Sequence, residues 1–141
     1  MFKIVEKRKL AENIFQMKIA AERVARAALP GQFVIVRATE NGERIPLTIA
    51  DYDTEAGTVT IVTQTIGMST RKICALNEGD SLVDFAGPLG RPSEFIHLKP
   101  EELKNRKYLI NFWRTHELPT QCERNHGKFR GQARQIFRLY I

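Results

Sequence analysis

The sequence predicts an all-β chain: a six-stranded antiparallel Greek-key barrel with one short helix, plus an irregular C-terminal tail. Three observations carry that expectation. Six short runs rich in β-branched and aromatic residues recur at regular spacing, each closed by a turn signal. One amphipathic, helix-like segment falls between the last two of them. A closed barrel also removes the exposed strand edges that an open sheet of such runs would leave.

In chain order, Phe2 to Lys7 alternates apolar and charged residues, as a strand with one buried face does. Asn13 to Ile19 repeats the pattern, and the link Ala11-Glu12-Asn13 suits a hairpin. Pro30-Gly31 turns the chain into Gln32 to Arg37, and Glu40 to Glu43 turns it again into Pro46 to Ala50. Polar residues from Asp51 to Gly57 lead to Thr58–Thr63, which is β-branched throughout. The helix is predicted at Ser69 to Leu76, stopped by Asn77-Glu78-Gly79-Asp80, and Ser81 to Ala86 forms the sixth strand. Ala20 to Ala28 has helical composition but serves equally as a lead-in to the next strand.

Beyond Gly90 the character changes. Arg106 to Ile110 starts like another strand, yet Asn111 to Ile141 has no period of 2 or 3.6. The charge divides at the same region. Residues 1–96 hold 12 Lys/Arg and 12 Asp/Glu, so the net charge of +6 belongs to the last 45 residues, with 10 against 4. The domain expectation is therefore 1–98 as a barrel and 99–141 as a linker with a truncated or aberrant remnant. A length of 141 residues suits one well-formed core. Two cysteines, Cys74 and Cys122, cannot build a disulfide framework or a four-ligand metal or iron–sulfur site. His97, His116 and His126 lack metal-ligand spacing, so no metal site is predicted. The N-terminus has no signal-peptide pattern and no run reaches the length of a membrane span, which points to the cytoplasm.

Two stretches carry chemistry. Glu43 to Ala50 is strand-like and bears one arginine, Arg44, and one hydroxyl, Thr48. Thr65 to Lys72 places Gly67 and the hydroxyls of Ser69 and Thr70 at the start of the helix. Helix N-termini present unpaired N–H groups and positive dipole to phosphate oxygens. Arginine adds charge-assisted contacts, and a threonine hydroxyl can donate or accept beside a heterocyclic nitrogen. Together these suit a flat ring attached to a pyrophosphate, which points to a flavin. No side chain has the setting of an acid, base or nucleophile, so no catalytic residue is predicted.

Arg44 to Ala50, Gly67 to Lys72 and Gly87-Pro88-Leu89-Gly90 together resemble the flavin-binding barrel of the ferredoxin–NADP reductase superfamily. The resemblance is narrower to the small flavin-carrying subunits of sulfide dehydrogenase, NADH-dependent ferredoxin–NADP oxidoreductase and dihydroorotate dehydrogenase. It spans about Phe2 to Ile96. It implies an FAD-binding electron-transfer subunit of an NAD(P)H-dependent oxidoreductase, with a larger flavin and iron–sulfur subunit as partner. The ring is expected at Pro46, Leu47, Thr48 and Ile49, the pyrophosphate at Gly67, Ser69 and Thr70 with Arg44, and the ring and ribitol flanked by Val62, Thr63 and Gln64. Many members carry an aromatic residue before the hydroxyl; Leu47 stands there, as in the Pro-Leu/Ile-Ser/Thr pattern of the multisubunit branch.

The chain departs from that family downstream. Family members continue into a nucleotide-binding domain with a glycine-rich turn and then cluster-holding cysteines. Asn111-Phe112-Trp113-Arg114-Thr115-His116 occupies the place of the turn, so no NAD(P) site and no iron–sulfur site is expected in this chain. The abrupt change suits either a frameshifted remnant of that domain or a divergent tail. Two other classes stay open. One is a non-catalytic barrel module or inactive remnant without flavin. The other is a basic-tailed nucleic-acid binder, for which Trp113-Arg114 and Lys128-Phe129-Arg130 offer charge and aromatics but no motif.

Overall fold

The structure is a computed structural model that describes residues 1–97. The expectations for residues 98–141, including the remnant and its histidines and cysteine, lie outside the described residues. Seven strands form one antiparallel sheet: β1 (Phe2–Ala11), β2 (Ile14–Ala20), β3 (Phe33–Arg37), β4 (Ile45–Asp53), β5 (Thr58–Gln64), β6 (Ser81–Leu82) and β7 (Asp84–Leu89). Two helices interrupt them, α1 (Glu22–Ala27) and α2 (Met68–Ala75), and a 3-10 turn follows at Glu94–His97. No helix among the described residues is long and apolar enough to cross a membrane.

The strand order is β6-β1-β2-β5-β4-β3-β7. Its first and last members are neighbours in sequence, separated only by Val83. Phe2 pairs with Leu82 on one side of that residue, and Arg37 with Asp84 on the other. The sheet must curl until its two edges nearly meet, which gives the expected Greek-key barrel. Val83 N–H donates to the Arg37 carbonyl at 3.0 Å. The rings of Phe2 and Phe85 meet across the seam, centroids 5.7 Å apart.

The expected sixth strand, Ser81 to Ala86, is thus two strands in the structure. Leu82 and Phe85 are both buried although they stand three residues apart. Strict alternation would send them to opposite faces, so the chain breaks its pleat at Val83 and Asp84 as it changes partners. The open question at Ala20 to Ala28 resolves as helix α1. It buries Val24 and Ala25 and keeps Glu22 and Arg26 paired on its outer face.

The core is the inner face of the barrel: Ile4, Met17, Ile19, Val34, Val36, Ile49, Val59, Ile61, Leu82 and Phe85, with Ile73 from α2. Ile49 and Ile61 are register partners at one end of the β4–β5 ladder, and both are fully buried. Replacing Ile61→Ala should cost about 2–5 kcal/mol through lost burial and a cavity. Urea unfolding of the full chain, read as a shift in midpoint at unchanged slope, checks this.

Candidate functional site

Alternation along β4 decides what that strand can offer a ligand. Pro46 and Thr48 are exposed, whereas Ile45 and Leu47 are half-buried against the core and Ile49 is fully inside. Thr48 pairs with Phe33 of β3, so those two residues share the outer face. On β5, Val62 and Gln64 are half-buried, and Thr63 turns inward. The eleven residues expected at the site therefore divide. Pro46 and Thr48 point outward, while Ile49 and Thr63 are buried and turn into the barrel.

The phosphate-like end is built from α2. Ile66, Gly67 and Met68 form its entry, and Ile66 and Met68 are 70% and 76% exposed, an apolar lip on both sides of the glycine. Thr70 hydroxyl donates to the Gly67 carbonyl and accepts from the Gly67 N–H, both at 3.0 Å. That pairing fixes the first turn. The N–H groups of the following residues have no acceptor within the helix, and Gly67 has no side chain to supply one. The opposite end of α2 is anchored to the barrel. Lys7 Nζ on β1 donates to the carbonyls of Cys74 at 2.6 Å and Leu76 at 2.7 Å, a cation at the negative end of the helix.

Two contacts bring the separate sequence stretches together. Ser69 Oγ donates to Glu43 Oε2 at 2.6 Å, joining the first turn of α2 to the loop before β4. The next residue, Arg44, places Nη2 2.8 Å from Asp84 Oδ2, and Arg37 Nε lies at the same distance from that oxygen. These are close ion pairs rather than well-directed hydrogen bonds, since Arg37 Nε and Asp84 Oδ2 are buried without an aligned partner. The sequence marks Arg44 and Ser69 but reads Asp84 as an ordinary strand-surface residue, and it gives no role to Glu43. It also passes over the exposed Ile66 and Met68, whose signal is two apolar residues beside a helix-starting glycine.

The glycines of the site region fall into two kinds. A Cβ at Gly87 would stand 2.8 Å from Val34 Cγ1, and one at Gly90 2.9 Å from the Phe33 ring, where φ is also +82°. Packing therefore demands glycine at both. Gly67 is different: its φ of −109° suits any residue, and a Cβ would meet nothing closer than Thr70 Oγ1 at 4.0 Å. Nothing in the described chain requires glycine there. The space above its backbone is open to whatever lies against it.

Comparison with known proteins follows the same outline. No family model matches the chain. A Clostridium beijerinckii protein, known as an uncharacterized protein in the adh 3' region, is 61% identical over 110 residues, 78% of this chain and 37% of that protein. The dihydroorotate dehydrogenase B (NAD(+)) electron transfer subunit homolog of Thermotoga maritima is 46% identical over 91 residues, 64% of this chain and 32% of its own length. Among solved structures, the NADH-dependent reduced ferredoxin–NADP oxidoreductase, studied for flavin-based electron bifurcation, aligns with a TM-score of 0.65 at 45% identity. That match covers 67% of this chain and 34% of the other. A cytochrome P450 reductase of Amycolatopsis shares the fold alone, at 21% identity and a TM-score of 0.52, over 72% of this chain and 30% of the other. The chain spans about a third of the length of the relatives it matches.

Two weak acids, the buried Cys74 and the half-buried Tyr52, shape the stability of the fold in alkali. Burial pushes the Cys74 thiol above its ordinary value, partly offset by the Lys7 ammonium and the Thr63 hydroxyl. Burial, and then the Asp51 carboxylate, raise the Tyr52 phenol. In both the folded state favours the neutral form. Their contribution is whole below the ordinary thiol and phenol range, about 8.5 to 10, and is lost as pH climbs through the raised values. Unfolding free energy measured by urea should therefore fall above that range, and the Cys74→Ala, Tyr52→Phe double variant should show a flatter decline.

Proposed function

We propose, from its homology to the electron-transfer subunits of flavin-based oxidoreductases, that this chain binds FAD on the outer face of its barrel. It would serve as the cofactor-holding part of such a subunit. The observation that carries this reading is the unexplained glycine at 67, set in an open, helix-starting turn whose Ser69 is bonded to Glu43, the residue before Arg44. A pyrophosphate fits that place. The first-turn N–H groups are free of helical acceptors, the dipole favours negative charge, and Gly67 lets oxygens approach the backbone.

The chain's own residues then take distinct parts. Gly67 and the first turn of α2 hold phosphate, with Ser69 and Arg44 beside them. Thr48 presents a hydroxyl to the ring from the exposed face of β4, and Pro46 offers an apolar edge on the same face. Leu47 supports that strand from within by packing on the core. When bound, the flavin supplies hydride and single-electron chemistry, and the protein supplies binding, orientation and electrostatics. The Thermotoga maritima relative is named as an electron transfer subunit homolog, so a partner subunit belongs to this reading.

Adding FAD to the purified chain and recording its visible spectrum tests the proposal. A perturbed flavin band with quenched fluorescence is expected. An unperturbed spectrum at high FAD would leave a barrel module without cofactor. Gly67→Ala sharpens the test: its unfolding free energy should stay within about 0.5 kcal/mol of wild type, because the new methyl meets open space. Its FAD affinity should fall at least about tenfold, because the same methyl stands where phosphate oxygens approach the backbone.

A further inference from the structure

We propose that Asp84 is a positioning residue that holds Arg44 toward the phosphates of the bound dinucleotide, an inference that rests on the flavin reading above. An arginine at the end of a surface loop loses rotamer freedom when it is held to a ligand. Holding it beforehand removes much of that cost. Asp84 does so here, because its Oδ2 lies 2.8 Å from Arg44 Nη2.

The anchor is itself fixed. Asp84 opens β7 opposite Arg37 in the ladder, and Arg37 Nε lies 2.8 Å from the same oxygen. Arg37 Nη1 also donates to the Glu40 carbonyl at 2.6 Å, which ties down the loop leading to Arg44. The neighbouring Glu43 is bonded to Ser69 on the first turn of α2. Residues 43 and 44 are thus fastened on one side to the phosphate turn and on the other to the strand crossing.

Charge and exposure leave the arginine usable. One carboxylate stands between two guanidinium groups, so this trio keeps a net positive charge. The Arg44 side chain is 61% exposed, whereas that of Asp84 is 29% exposed and its Oδ2 is buried. Asp84 therefore acts on a ligand through Arg44 and not by contact.

A double-mutant cycle on FAD affinity tests this with wild type, Asp84→Asn, Arg44→Ala and the double variant. Each single change should weaken FAD about tenfold, and the double should be no weaker than Arg44→Ala alone, because Asp84 works through that residue. Riboflavin, which has the ring and no phosphate, serves as the control probe and should bind all four alike. Losses that multiply in the double variant, or an equal loss for riboflavin in Asp84→Asn, would overturn the assignment in favour of a structural ion pair. If Asp84→Asn does not fold, Arg44→Ala still decides, since unchanged FAD affinity there overturns the proposal. Failure of wild type to bind FAD rejects instead the flavin reading on which it stands.

Discussion

The closure of the barrel through a single residue governs the rest of the molecule. β6 and β7 lie at opposite ends of the strand order, yet only Val83 separates them in the chain. A flat sheet cannot satisfy that connection. Once the edges are drawn toward each other, the inward residues of every strand face one another in one enclosed core. The strand pairing, the burial of Ile49 and Ile61, and the seam contact of Phe2 with Phe85 all follow from it.

That closure also creates the polar part of the candidate site. A strand that leaves one partner for another must break its alternation, and the break falls at Val83 and Asp84. Asp84 is thereby set against Arg37 at the end of β3 and within reach of Arg44 before β4. A carboxylate there holds two cations from different parts of the sheet. A partly buried ion pair of this kind is a weak source of stability, since desolvation and solvent screening offset most of the attraction, but it fixes geometry. The arrangement fits a barrel whose binding loop must stand in one place.

Much of the fold was legible because strand alternation and turn residues are local signals. Gln32 to Arg37 and Thr58 to Thr63 have almost the bounds their residues suggest, as does the helix near Ser69 to Leu76. The split at Val83 was not legible, because Ser81 to Ala86 reads as one run and only the partners on either side divide it. The candidate site shows the same boundary. Gly67, Ser69 and Thr70 are recognisable together because they are close in sequence. The Arg44–Asp84 pair joins residues forty positions apart, and only the closed register brings them together. Alternation could have gone further, since Thr48 and Ile49 cannot both face outward on one regular strand.

Gly67 separates two kinds of selection acting on the chain. A residue chosen for folding alone at the start of a helix would carry a side-chain oxygen, since serine, aspartate and asparagine cap better than glycine by a few tenths of a kcal/mol. At Gly87 and Gly90, by contrast, folding and glycine are inseparable. In a lineage where the barrel survived only as a scaffold, position 67 would drift toward those capping residues while 87 and 90 stayed fixed. Under the flavin reading, the identity of that one residue would record whether a descendant barrel is still used to hold something.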